Sequence, residues 1–269
     1  MKKCIAAILL FSFFSCNNNN NNTNTVEDAS NPTPPTLSYR LIKEYPHDTS
    51  HFTEGLIWHN NALYESTGNE GESQLLKTDL NTGKPEKEIN LPESDFGEGI
   101  AIIGDKIYQL TYRNHIAYEY DLATFKKRKE FTFPYEGWGM TTDGKQLIIS
   151  TGSSNLYFVN PDNFQIKNTL GVTDNYGPVS SINELEYVNG YVYANVWHEK
   201  KIIKIDLATG KVVGVIRIGD ILSQTGKQLD ETQEQNREKV LNGIAYDSTK
   251  NSFYITGKNW PSLYEIKLN

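Results

Sequence analysis

Cysteine is almost absent from this chain of 269 residues. There are two, Cys4 and Cys16, both within the first sixteen positions. No disulfide can staple the rest, so a fold there is held by packing alone. Basic charge is also short, with 26 Lys and Arg against 33 Asp and Glu. Without Lys2 and Lys3 the balance falls to about −9, which excludes a nucleic-acid partner and a basic membrane-binding face. The apolar run Ile5 to Phe14 is too short for a good transmembrane span. No glycine-rich phosphate loop is present, Gly152-Ser153-Ser154 reads as a turn, and no Ser/His/Asp set converges. His47 and His51 have a zinc-binding spacing if helical, but the Pro-containing stretch around them reads as strand and turn. No metal and no cofactor is expected.

Aromatic residues, by contrast, reach 12%, with 16 Tyr. That composition suits pleated, half-buried surfaces and an all-β fold. The first residues read differently. Lys2-Lys3, the apolar run and Ser15-Cys16 form a secretory signal. Residues 13–16, Phe-Phe-Ser-Cys, look like the lipobox of a bacterial lipoprotein, with Phe13 where Leu is usual. Residues 1–16 are therefore expected to be a lipoprotein-type signal, with Cys16 as the lipidation site. Export with a membrane anchor, periplasmic or at the cell surface, follows; the membrane is met through the lipid alone. Residues 17–36, "NNNNNNTNTVEDASNPTPPT", read as an Asn- and Pro-rich tether.

From residue 37 to 269 the chain repeats. Five segments share a pattern of an apolar strand, a turn and a β-type run: "TEGLIWHNNALYEST", "GEGIAIIGDKIYQLT", "GWGMTTDGKQLIIST", "INELEYVNGYVYANV" and "LNGIAYDSTKNSFYITG". Their central Asn-Gly, Asp-Gly and related turns mark hairpins. After each hairpin comes another apolar strand, and in the first four units a turn and a charged outer strand follow. Four strands per unit predict a five-bladed β-propeller. The last unit has only three strands before the chain ends, and "LSYRLIKEYP" (37–46) supplies the fourth, closing the ring and removing an open edge. Residues 219–241 are long and polar, with a short exposed helix expected over Gln228 to Val240.

Aligning the units places Glu54, Glu98, Trp138, Asn183 and Asn242 at one inner-strand position. Gly68, Tyr112, Gly152, Trp197 and Lys258 share a second, after the second strand. Both rings are expected at one mouth of the channel. Carboxylates, an amine and a large aromatic wall converging in this way suit a small-ligand pocket.

The segments "YPHDTSHFTEGL", "DFGEGI", "EGWGM", "NELEYVNGYVYANVW" and "LNGIAYD…FYITGKNWP" resemble the plant and bacterial glutamine cyclotransferases, over about residues 39–269. The resemblance implies a five-bladed propeller that converts the N-terminal glutamine of peptides to pyroglutamate and releases ammonia. It implies Glu98 as the essential acid, Asn183 and Lys258 beside it, and Trp138, Trp197, Phe52 and Phe96 in the pocket. Glu54 stands in "FTEGL" where Gln is commoner, and Tyr112 where Trp is usual. On this reading Glu98 is the proton shuttle, and Lys258 and Asn183 are candidate donors to the oxyanion. Lys258 paired to Glu54 is the alternative. Glycines 97 and 99 are read as letting the backbone approach closely and leaving the acid uncrowded. The partners are peptides or proteins with N-terminal Gln, and a monomer is expected. Two other readings stay open. A lactonase-like hydrolase would use a cation held by Glu54, Glu98, Asn183 and Asn242. A non-catalytic surface propeller would only bind.

Overall fold

The computed structural model describes residues 32–219, 221–227 and 238–269. The expected signal with Cys16, the expected tether up to residue 31 and most of the helix expected over 228–240 lie outside the described residues. Residues 238–240 are not helical, and the one helical turn described, α1 (Ile221–Gln224), lies earlier in the same excursion.

Strand β1 (Tyr39–Pro46) runs first. Blade one then comprises β2 (Thr53–His59), β3 (Ala62–Thr67), β4 (Gln74–Thr78) and β5 (Pro85–Asn90). Blade two is β6 (Gly97–Ile103), β7 (Lys106–Thr111), β8 (Ile116–Asp121) and β9 (Lys127–Thr132). Blade three is β10 (Met140–Thr142), β11 (Leu147–Ser150), β12 (Asn155–Val159) and β13 (Ile166–Gly171). A short ribbon, β14 (Thr173–Asp174) with β15 (Gly177–Pro178), precedes blade four: β16 (Ile182–Val188), β17 (Tyr191–Val196), β18 (Lys201–Asp206) and β19 (Val212–Arg217). Blade five is β20 (Leu241–Asp247), β21 (Ser252–Gly257) and β22 (Ser262–Leu268), with β1 hydrogen-bonded to β22 as its fourth strand. Five antiparallel four-stranded sheets result, closed as the repeats require.

Local chemistry sets these strands. The inner hairpins turn through left-handed residues, Asn60 and Asn61 in blade one and Asn189-Gly190 in blade four, the turn sense that matches strand twist. The outer turns of blades one and two reuse one device. The Asp79 side chain accepts bonds from the Thr82 backbone and hydroxyl, and Asp121 does the same for Thr124. Strands β5, β9 and β13 are largely exposed. The core is divided into five apolar clusters, one between each pair of neighbouring blades.

Closure is firmer than the sequence suggests. The Pro35 carbonyl accepts from Val215 N–H and Leu37 N–H donates back to the Val215 carbonyl. The segment before β1 therefore lies on the edge of blade four, and Leu37 packs where Gly214 has no side chain. The reading of a free tether up to residue 36 is corrected here, because edge strand β19 offers unpaired backbone groups that the chain satisfies.

Candidate active site

Four of the five inner strands carry a register break at the ring position. It falls between Thr53 and Gly55, Gly97 and Ile100, Ile182 and Leu185, and Leu241 and Ile244. A bulge re-aims a side chain that the regular pleat would send elsewhere. In blade three the strand simply starts later, at Met140, leaving Trp138 just ahead of it.

Glu54, Glu98, Trp138 and Asn183 thereby face one cavity of about 320 Å³, together with Phe52, Phe96, Tyr112, Trp197 and Lys258. Every catalytic and substrate-binding candidate named from the sequence is in that lining. Asn69, Arg113 and Glu238 join them; they lie in loops outside the repeat pattern, so no periodicity marks them. Asn242 is different. It shares the ring position but does not line the cavity, donating instead to Glu54 Oε2 at 3.1 Å and to the Thr53 carbonyl at 2.9 Å.

The aromatic wall is continuous. Ring centroids are 5.9 Å apart for Phe52–Phe96, 5.8 Å for Phe96–Tyr112, 6.5 Å for Tyr112–Trp138 and 5.6 Å for Trp138–Trp197. Lys258 Nζ extends it at the Phe52 end, 4.6 Å from that ring centre. The two glycines of the second ring make room for this wall. A Cβ at Gly68 would come within 2.4 Å of the Phe96 ring, and one at Gly152, whose φ is +69°, within 2.7 Å of the Trp138 ring. Gly152→Ala is therefore expected to displace Trp138 and lower kcat/KM for a peptide substrate about tenfold or more, as small misplacements at a reacting centre do. Steady-state kinetics with an unchanged circular dichroism spectrum is the check.

"DFGEGI" is clamped on both sides. The Asp95 carboxylate accepts from the Tyr118 hydroxyl and from Asn114 Nδ2. Gly97 N–H donates to Ser73 Oγ of blade one, and Gly99 N–H donates to the Trp138 carbonyl of blade three at 2.7 Å. A Cβ on Gly99 would stand 2.3 Å from Met140 N, and one on Gly97 2.6 Å from the Thr67 carbonyl oxygen. The glycines thus serve the close approach of neighbouring blades. This is the close backbone approach expected of the two glycines from the sequence, and the structure adds that it is made to blades one and three.

The two carboxylates have different environments. Lys258 Nζ donates to Glu54 Oε1 at 2.7 Å, both side chains being buried. The lysine is ion-paired rather than free, the alternative held open above. Burial raises the Glu54 carboxyl, and Lys258 opposes that shift. Glu98 accepts no hydrogen bond among the described residues. Burial first, then the charge of Glu54, push its carboxyl well above the usual range, with Lys258 again opposing. Two acids held apart in this way are suited to different roles. Trp138 Nε1 and Asn183 Oδ1 are buried and have no hydrogen-bond partner among the described residues.

A further acid was not foreseen. Glu184 follows Asn183, where blades one, two, three and five have glycine (55, 99, 139, 243). Its buried carboxylate accepts from Leu56 N–H of blade one and Ile244 N–H of blade five. It ties three blades together. The departure from glycine in one repeat was the available signal.

Comparison with known proteins gives the chain a family. A family profile described as glutamine cyclotransferase matches residues 8–268. The glutaminyl-peptide cyclotransferase of Arabidopsis thaliana is 39% identical over 239 residues, 86% of this chain and 73% of that protein. The crystal structure of Myxococcus xanthus glutaminyl cyclase superimposes with a TM-score of 0.79 at 35% identity, covering 88% of this chain and 98% of that one. With its five-bladed fold and a family profile that spans nearly its whole length, this chain belongs to the glutamine cyclotransferase family.

Proposed function

We propose that this protein is a glutaminyl-peptide cyclotransferase, converting the N-terminal glutamine of peptides or proteins to pyroglutamate with release of ammonia. The observation that carries this reading is Glu98, a buried carboxyl, raised by that burial, lining a cavity walled by aromatic rings. Family membership supports it.

The substrate supplies its own nucleophile. Folded against Phe96, Tyr112, Trp138 and Trp197, the glutamine side chain brings its γ-amide carbon to its own α-amine, and this proximity replaces a bimolecular encounter. The α-ammonium gives one proton to the Glu98 carboxylate. The amine attacks the amide carbon, and the C–N bond that forms closes a five-membered lactam. The protonated Glu98 then returns its proton to the departing nitrogen, the original C–N bond breaks, and ammonia leaves. No net proton is consumed, and the enzyme forms no covalent bond. A carboxyl raised toward the α-amine's own range makes the first transfer less uphill. The Lys258 ammonium and the amide N–H of Asn183 are assigned as donors to the charge that develops on the carbonyl oxygen, a contribution of roughly 3 kcal/mol for one good donor. Glu54 holds Lys258 in place and adds negative potential that favours a cationic N-terminus.

Glu54→Gln tests this electrostatic arrangement. It removes a negative charge that raises Glu98 and leaves Lys258, which lowers it, without its carboxylate. Both changes lower the Glu98 pKa, so the acidic limb of the kcat/KM profile moves to lower pH while the plateau falls. An acidic limb unchanged in position means that Glu98 does not set it.

The exported, lipid-anchored state rests on residues 1–16, and the monomer on the self-contained ring. Cys16→Ala is expected to move the protein from the membrane to the soluble fraction, and light scattering to give one copy per particle. The function itself is tested by ammonia release from an N-terminal glutamine dipeptide with and without chelator. Release that persists in chelator is expected. Chelator-sensitive lactone hydrolysis without ammonia would replace the reading with the cation-dependent hydrolase, and neither activity would leave a binding propeller.

A further inference from the structure

Where blade five meets blade one, His47, His51 and Glu65 bring one ligand atom each within 4.8 Å of one another. None lines the cavity. His47 and His51 lie on the connection from β1 to β2, and Glu65 on β3. His47 Nε2 is 3.0 Å from Glu65 Oε1, and His51 Nδ1 is 3.0 Å from Oε2. The other His47 nitrogen, Nδ1, lies 2.7 Å from the Trp260 carbonyl oxygen.

A carbonyl only accepts, so His47 Nδ1 carries a proton. In the neutral ring Nε2 then presents a lone pair, and it faces a carboxylate oxygen. Two acceptors at that separation need an electron-poor centre between them. A proton is one such centre; a cation bound to both is the other. Several features match the second. The ring nitrogen opposite the metal-facing one donates to a backbone carbonyl, the usual way a ligating histidine is oriented. Thr53 Oγ1 donates to Glu65 Oε1 at 2.7 Å, fixing the carboxylate. Two imidazoles and one carboxylate are a zinc-type donor set. The spacing of His47 and His51 excluded a site only on the premise that a helix was needed; the turn and β3 supply the geometry instead.

We propose that His47, His51 and Glu65 form a binding site for a zinc-class divalent cation, distinct from the active-site cavity and structural in role. The cation would rivet the closure of the ring. His51 neighbours Phe52, and its carbonyl accepts from Asn259 N–H beside Lys258. A tie here braces both ends of the Phe52–Lys258 contact without entering the chemistry.

The test uses the whole mature chain, stripped with chelator, and His51→Ala alongside it. Zn²⁺ is titrated by calorimetry, and Co²⁺ serves as a visible-absorption probe. The wild type is expected to bind one equivalent, to show the d–d bands of a low-coordinate site with Co²⁺ and to gain several degrees in Tm. His51→Ala should lose all three while keeping most of its ammonia release. Equal binding by both proteins, no binding by the wild type, or a Tm rise with Mg²⁺ or Ca²⁺ but not Zn²⁺ would each overturn the assignment. Because the readouts are metal content, spectrum and Tm, they stand apart from whether the cavity cyclises glutamine.

Discussion

Glu98→Gln is expected to lower kcat by about 10² to 10⁴, the usual worth of a positioned general base and acid, and at the same time to raise Tm. The first effect follows from the proton route, since the amide neither takes the ammonium proton nor delivers one to the leaving nitrogen. The second follows from burial. The Glu98 carboxyl is raised in the folded protein, so the folded state holds that proton more tightly than the unfolded chain. Below the ordinary carboxylate range both states are protonated and the group contributes its full share. As pH rises, the unfolded chain ionises first, and stability is lost until the raised pKa is passed. Each unit of the shift corresponds to about 1.4 kcal/mol. Glutamine does not ionise and escapes this loss. The gain in Tm should be absent at acidic pH and grow toward neutral, at about 2–4 °C per kcal/mol for a domain of this size. Calorimetry across pH measures it. A variant that loses Tm at neutral pH would show that Glu98 is a structural acid.

Lys258→Ala is expected to cost about 3–5 kcal/mol in stability, because it strands the buried carboxylate of Glu54 without its cation. Denaturant unfolding measures this. Turnover falls as well, through a lost donor at the developing oxyanion and through Glu98, whose carboxyl loses the charge that restrains it. The fall is expected in kcat more than in KM. Adding Glu54→Gln to Lys258→Ala separates the two effects. The double variant has no stranded charge and should recover most of the lost stability, a strongly non-additive cycle. Its kcat should not recover, since the donor is still missing. Additive stability losses would mean that the contact at 2.7 Å contributes little coupling. A recovery of kcat would restrict Lys258 to holding Glu54.

Much of this site is legible in the sequence because the fold repeats. One strand–turn–strand pattern recurs five times, with varied turn residues, so positions that align in the chain align around the axis. That symmetry alone puts Glu54, Glu98, Trp138 and Asn183 in one ring. It also puts Asn242 there, and here symmetry fails. Aromatics from blades one to four wall the cavity, and Asn242 is absent from the lining, its amide turned to Glu54 and the Thr53 carbonyl. Asn69, Arg113 and Glu238 were not legible, since loops carry no period. Nor was the Glu184 bridge, since a carboxylate facing backbone N–H groups of two other blades needs contacts far apart in the chain.

What the sequence determined by itself is the number of blades, the strand that closes the ring and the residues that ring the mouth, because each depends on local turn and strand preferences repeated at fixed spacing. What only the tertiary structure decided is how those residues are used. The partner of Lys258, the raised carboxyl of Glu98, the glycines that admit the aromatic wall and the meeting of His47, His51 and Glu65 all depend on distances and burial between separate blades. Those arise from packing five sheets against one another, and no single stretch of chain contains them.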